Sequence, residues 1–91
     1  RMIELRSIVT GKVQRVGYRD FVQAAAHELG LVGSIQNKAD GSVAVIAQGE
    51  PEALKQFVEF LHEGSLLARV DNVGIEWGSA SVTYNDFQVL P

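Results

Sequence analysis

Between Gly11 and Arg19 the chain reads Gly-Lys-Val-Gln-Arg-Val-Gly-Tyr-Arg, leaving a strand-like run and entering a helical one. A short glycine-containing turn of this kind aims successive backbone N–H groups, the positive end of a helix and an arginine fork at one point, which is the chemistry of oxyanion or phosphate binding. The residues of this cradle are Gln14, Arg15, Val16, Gly17, Tyr18 and Arg19. Taken singly they say less, because a glycine is usually a turn residue and an arginine near a helix start usually lies over a neighbouring ring such as Phe21. Polarity favours a ligand. A cation at a helix N-terminus opposes the dipole, and a bound anion reverses that penalty.

Composition narrows the partners. With 91 residues, 46% of them hydrophobic, the chain has material for one core over 1–91 and too little for two. A net charge of −3 without any block of Lys or Arg argues against a nucleic-acid or anionic-membrane surface. The absence of cysteine removes disulfides, thiolate metal sites and thiol nucleophiles, and fits a cytoplasmic protein. No apolar run is long enough to span a membrane, and the first residues lack the regions of a signal peptide. The numbering opens at Arg1 ahead of Met2, which fits either one added residue or a missing upstream segment.

The periodicities predict the elements that hold the loop. Ile3, Leu5 and Val9 share one parity against Glu4, Arg6 and Thr10, a strand over Met2–Val9. Phe21, Val22, Ala25, Ala26 and Leu29 repeat at helical spacing, giving a helix from about Arg19 to Leu29 that Gly30 caps. Leu31–Asn37 and Ser42–Gln48 form a hairpin around Lys38–Gly41. Gly49–Pro51 opens a second helix with the apolar face Leu54, Phe57, Val58 and Leu61, and Gly64 closes it. Val70–Trp77 is a fourth strand, and Phe87–Leu90 a short fifth after the polar loop Gly78–Asn85. Phe57, Phe60 and Trp77 are expected in the core, and His27 and His62 as structural residues away from the loop.

A βαββαβ order with one added strand predicts an α+β, ferredoxin-like split βαβ sandwich: an antiparallel sheet with both helices on one face. The first two strands then run parallel, so the loop after the first and the end of the second emerge at one edge. Arg19 and Asn37 should face each other there. At a strand end Asn37 by itself usually caps a turn. Asp20 mainly favours the helix N-terminus.

The same residues carry a family likeness. Gly11, Val13, Gln14, Val16, Tyr18 and Arg19 resemble the first acylphosphatase signature, G-x-V-Q-G-V-x-[FY]-R, and Gly33 to Gly49 resembles the second, G-x-x-x-N-x-x-x-G-x-V-x-x-x-x-x-G. Two positions depart from the pattern: Arg15 stands where the family usually has glycine, and Ser34 where an aromatic residue is usual. If the loop needs a positive φ at position 15, arginine there costs on the order of 1–2 kcal/mol.

The resemblance implies hydrolysis of acyl phosphates with Arg19 and Asn37 as catalytic residues, the first holding the phosphoryl group with the loop amides, the second positioning the attacking water. It implies no cofactor, and inorganic phosphate as product and competitive inhibitor; no cluster of His and carboxylates has ligand spacing, so no metal is expected, and a monomer is the default. The main alternative is a non-catalytic phosphate or carbamoyl-phosphate binding module cut from a larger hydrogenase-maturation protein. RNA binding fits poorly, because Val43, Val45 and Ile46 put no aromatic residue on the third strand.

Overall fold

The computed structural model describes residues 2–80 and 82–91. Its elements are β1 (Ile3–Lys12), α1 (Tyr18–Glu28), β2 (Val32–Asn37), β3 (Val43–Gly49), α2 (Pro51–Glu63), β4 (Arg69–Gly78) and β5 (Phe87–Leu90). The polar loop before β5 includes residue 81, which lies outside the described residues.

The five strands form one sheet in the order β4-β1-β3-β2-β5. β3 is antiparallel to both β1 and β2, so β1 and β2 point the same way on either side of it, as the split βαβ order requires. β5 joins the far edge parallel to β2, which makes the sheet mixed where an antiparallel one was expected. β5 pairs along the flank of β2 that β3 leaves open.

Parity decides which side chains meet the helices. Leu5 and Val9 of β1, Val43, Val45 and Ala47 of β3, Ile35 of β2 and Phe87 of β5 are all buried on one face, with Val22 and Ala26 of α1 and Leu54, Phe57 and Leu61 of α2. The Phe57 and Phe87 rings meet edge-on at 6.0 Å, joining α2 to the start of β5 across the core. Asn37 shares the parity of Ile35. It therefore ends β2 on the helix side of the sheet, toward the start of α1.

Two expectations fail for physical reasons. β1 runs three residues past Val9, through a register shift between Thr10 and Gly11 that resumes pairing at Gly11–Val70. Gly11 is accordingly a strand residue at φ 124, where a Cβ would overlap the Arg69 carbonyl oxygen. It belongs to the bulge, and the phosphate loop starts after it. Trp77 lies opposite Leu5 on the helix face but is 48% exposed, because β4 is an edge strand and Trp77 borders an open surface hollow beside Met2, Ile3, Gly78 and Ser79. Phe57 is fully buried, while Phe60 is partly buried and packs edge-on against Phe21.

Gly33 supplies a stability test. At φ 148 its hydrogen points at the neighbouring strand, and a Cβ would overlap the Ile46 carbonyl oxygen. Overpacking usually costs about 1–3 kcal/mol, and here the clash is with backbone that cannot rotate away. Gly33→Ala is expected to lower the urea midpoint by at least that equivalent. An unchanged midpoint would show that β2 and β3 separate freely.

Candidate functional site

The residues between β1 and α1 are Val13, Gln14, Arg15, Val16 and Gly17. Val13 is buried as an apolar anchor at one end. At the other, the Tyr18 ring is buried and its hydroxyl donates to the Leu61 carbonyl oxygen at 2.7 Å, with burial holding the phenol pKa above its usual value. Between them the Val16 carbonyl accepts the Ser65 hydroxyl at 2.8 Å. The loop is thus tied to α2 and to the turn after it. The Tyr18 hydroxyl and the Val16 carbonyl are thereby committed within the fold.

Gly17 caps α1 at φ 76 without a side-chain hydrogen bond. Among the described residues, the N–H groups from Arg15 to Asp20 have no hydrogen-bond partner. First-turn amides left open in this way are the standard donors to an anion.

Val13, Arg15, Gly17, Tyr18, Arg19, Asp20 and Asn37 line one cavity of about 170 Å³. The fold therefore brings the loop, Arg19 and Asn37 together, as topology predicted. Gln14 and Val16, read from sequence as cradle residues, are not in its lining. Gln14 instead donates from Nε2 to the carbonyl oxygens of Lys38 and Ser42, both at 2.8 Å, and so clamps the β2–β3 turn just beyond Asn37. Asp40 tightens the same turn by accepting the Ser42 hydroxyl at 2.6 Å and its N–H at 3.0 Å. The hydroxyl bond is the main reason its carboxyl is held below the usual range. A depressed carboxyl contributes stability at neutral pH and loses it as pH falls through the folded-state pKa.

The Asn37 side-chain oxygen is buried and has no hydrogen-bond partner. A buried polar atom left unpaired costs about 1–3 kcal/mol, so the fold carries Asn37 at this position at a cost to stability.

Arg19 is half-buried and does not lie free over Phe21. Its Nη1 donates to the Leu90 carbonyl oxygen at 2.7 Å, which leaves the rest of the fork open. That bond is the first of three along one stripe of α1. Gln23 Nε2 donates to the Phe87 carbonyl at 2.9 Å, and His27 Nε2 lies 3.2 Å from an Asp86 carboxylate oxygen. Residues four apart share a helix face, so the stripe fastens β5 along α1. Sequence reading missed Leu90, whose contribution is a backbone carbonyl and leaves no mark in residue type. It also gave His27 no partner, since Asp86 is 59 positions away.

Arg15 has φ 62, the one positive φ on a non-glycine residue among those described. The loop does require left-handed backbone where the signature has glycine. Relief of that strain by Arg15→Gly contributes about 1–2 kcal/mol, against about 0.4–1 kcal/mol for the freer unfolded chain. A melting temperature a few degrees higher is expected. A lower one would mean that the arginine side chain stabilises the fold by more than its backbone costs.

Among the described residues, no group of three or more His, Asp or Glu converges as a metal site. A split βαβ sandwich with open helix-start amides, an arginine and an unpaired amide around one small cavity defines an oxyanion-binding α+β protein. Sequence comparison narrows that class: the acylphosphatase family model matches residues 5–89, and the chain belongs to that family. It is 49% identical over 77 residues to an acylphosphatase of Thermus thermophilus, covering 85% of this chain and 88% of the relative. The crystal structure of acylphosphatase from Bacillus subtilis superposes with a TM-score of 0.95 at 34% identity, covering 98% of this chain and 99% of that one. A full-length HypF crystal structure in its phosphate- and nucleotide-bound form also matches, with a TM-score of 0.86 at 26% identity, but the match spans 12% of that chain.

Proposed function

We propose that this chain hydrolyses acyl phosphates to a carboxylate and inorganic phosphate, with Arg19 and the loop amides holding the phosphoryl group and Asn37 positioning the water. The observation that carries this reading is the single cavity lined by Arg19, Asn37 and the start of α1. Preorganised N–H donors and a guanidinium stabilise charge on the equatorial oxygens during transfer. The leaving carboxylate is the base of an acid with a pKa of about 4, so its departure needs no proton donor. This fits a site whose lining contains neither His nor Cys. The water's proton passes to a phosphate oxygen of the substrate itself. Asp20 stays a helix-start carboxylate at the rim.

The binding-module alternative is the weaker reading, since identity and TM-score are both lower toward HypF than toward the Bacillus subtilis acylphosphatase. The proposal takes 1–91 as one acylphosphatase-like domain, active as a monomer in the cytoplasm on a small substrate, with phosphate as a competitive inhibitor. Among the described residues no helix is long and apolar enough to cross a membrane. Benzoyl phosphate is the direct test. Hydrolysis inhibited competitively by phosphate is expected, whereas phosphate binding with no turnover would establish the non-catalytic module.

A further inference from the structure

The loop carries a cation that the hydrolysis scheme does not use. Arg15 occupies left-handed backbone at φ 62, and its side chain is exposed at the cavity lined by Arg19 and Asn37. Among the described residues its guanidinium has no hydrogen-bond or ion-pair partner, in contrast to Arg6 with Glu4, Arg69 with Asp71 and Arg19 with the Leu90 carbonyl. Asp20 is the only carboxylate sharing the cavity lining, and no bond joins the two. Among the described residues, backbone strain at this position is therefore not offset by any hydrogen bond or ion pair of the side chain.

The size of the cavity indicates what Arg15 meets. At about 170 Å³ it is well below the roughly 300–1,000 Å³ of sites that enclose a whole small-molecule ligand. A phosphoryl group seated on the α1 amides fills the inner part, and the acyl portion must leave through the mouth. Of the cations lining the cavity, Arg15 is exposed and Arg19 half-buried, so Arg15 is the one placed to meet a group that extends toward solvent.

We infer that Arg15 is a specificity-determining residue that selects acyl phosphates carrying a second anionic group, a carboxylate or phosphate, on the acyl portion. The inference rests on the hydrolytic reading above. A guanidinium recognises either group through paired N–H donors, and at an exposed rim it distinguishes charged from neutral substrates chiefly by Coulomb attraction. Because the phosphoryl group is common to all substrates, the effect of Arg15 belongs in the ratio between two of them.

The test measures kcat/KM for 3-carboxybenzoyl phosphate and for its methyl ester, with wild type, Arg15→Gln and Arg15→Lys, at low and high salt. Gln keeps a side chain on the strained backbone and removes the charge. Lys retains the charge. The carboxylate-to-ester ratio is expected to fall about fivefold in Arg15→Gln, to return largely in Arg15→Lys, and to decline with salt in wild type and Arg15→Lys but not in Arg15→Gln. An unaltered ratio in Arg15→Gln, or an equal loss on both substrates, overturns the inference while leaving hydrolysis intact. If wild type hydrolyses neither compound nor benzoyl phosphate, the hydrolytic reading fails and this inference falls with it.

Discussion

Arg19→Ala is expected to lower kcat/KM for benzoyl phosphate by two to three orders of magnitude, because removal of one preorganised donor from an oxyanion-type site costs about 2.7–4 kcal/mol in the transition state. The fold gives a reason for so large an effect. Leu90 holds one nitrogen of the fork at 2.7 Å, so the remaining N–H groups are aimed before substrate arrives. Arg19→Lys should recover little of this, since an ammonium cannot satisfy the Leu90 carbonyl and span two phosphoryl oxygens together. Stability should change far less than activity, by about the 0.5–1.5 kcal/mol of one hydrogen bond. The checks are steady-state kinetics, phosphate affinity by calorimetry and a urea titration. Activity within about tenfold of wild type would remove Arg19 from the catalytic role.

Asn37→Ala should separate turnover from binding. Loss of the group that positions the water is expected to lower kcat about a hundredfold, the scale on which a small misplacement of a reacting atom acts. Phosphate affinity should stay near wild type, because Arg19 and the α1 amides remain. Stability should hold or rise, since the substitution deletes a buried oxygen that lacks a partner in the fold. The diagnostic result is a nearly inactive variant with an undiminished melting temperature and a normal phosphate isotherm. Near-normal kcat would refute the water-positioning role, and a large loss of phosphate affinity would reassign Asn37 to anion binding.

Much of this site was legible before any coordinates. The glycine-bounded turn, the helical spacing from Phe21 to Leu29, the alternation in the first strand and the two apolar runs around Lys38–Gly41 determine the order of elements, and that order makes β1 and β2 parallel across β3. Arg19 and Asn37 must then emerge at one edge. The expectation on Arg15 was conditional, and the φ of 62 supplies the condition. The strand ends were less legible because alternation reports a face without saying where pairing stops. Gly11 illustrates this: its type fits a turn equally well, and only the approach of Arg69 makes it a bulge residue. Trp77 illustrates coverage, since parity put it on the helix side and the edge position left it half exposed.

What the sequence determined by itself was the kind of chemistry and its approximate place, because backbone polarity, residue type and periodicity are local properties that survive without a fold. The tertiary structure alone decided how the site is held. Gln14 turned from a cradle residue into the clamp of the β2–β3 turn, since its amide reaches two carbonyls 24 and 28 positions away. β5 became the support of Arg19 through a main-chain oxygen 71 positions distant. Contacts of that separation depend on where the sheet puts backbone carbonyls, and every residue but proline offers the same carbonyl and N–H pair. No residue type announces them, so they exist only once the chain has folded.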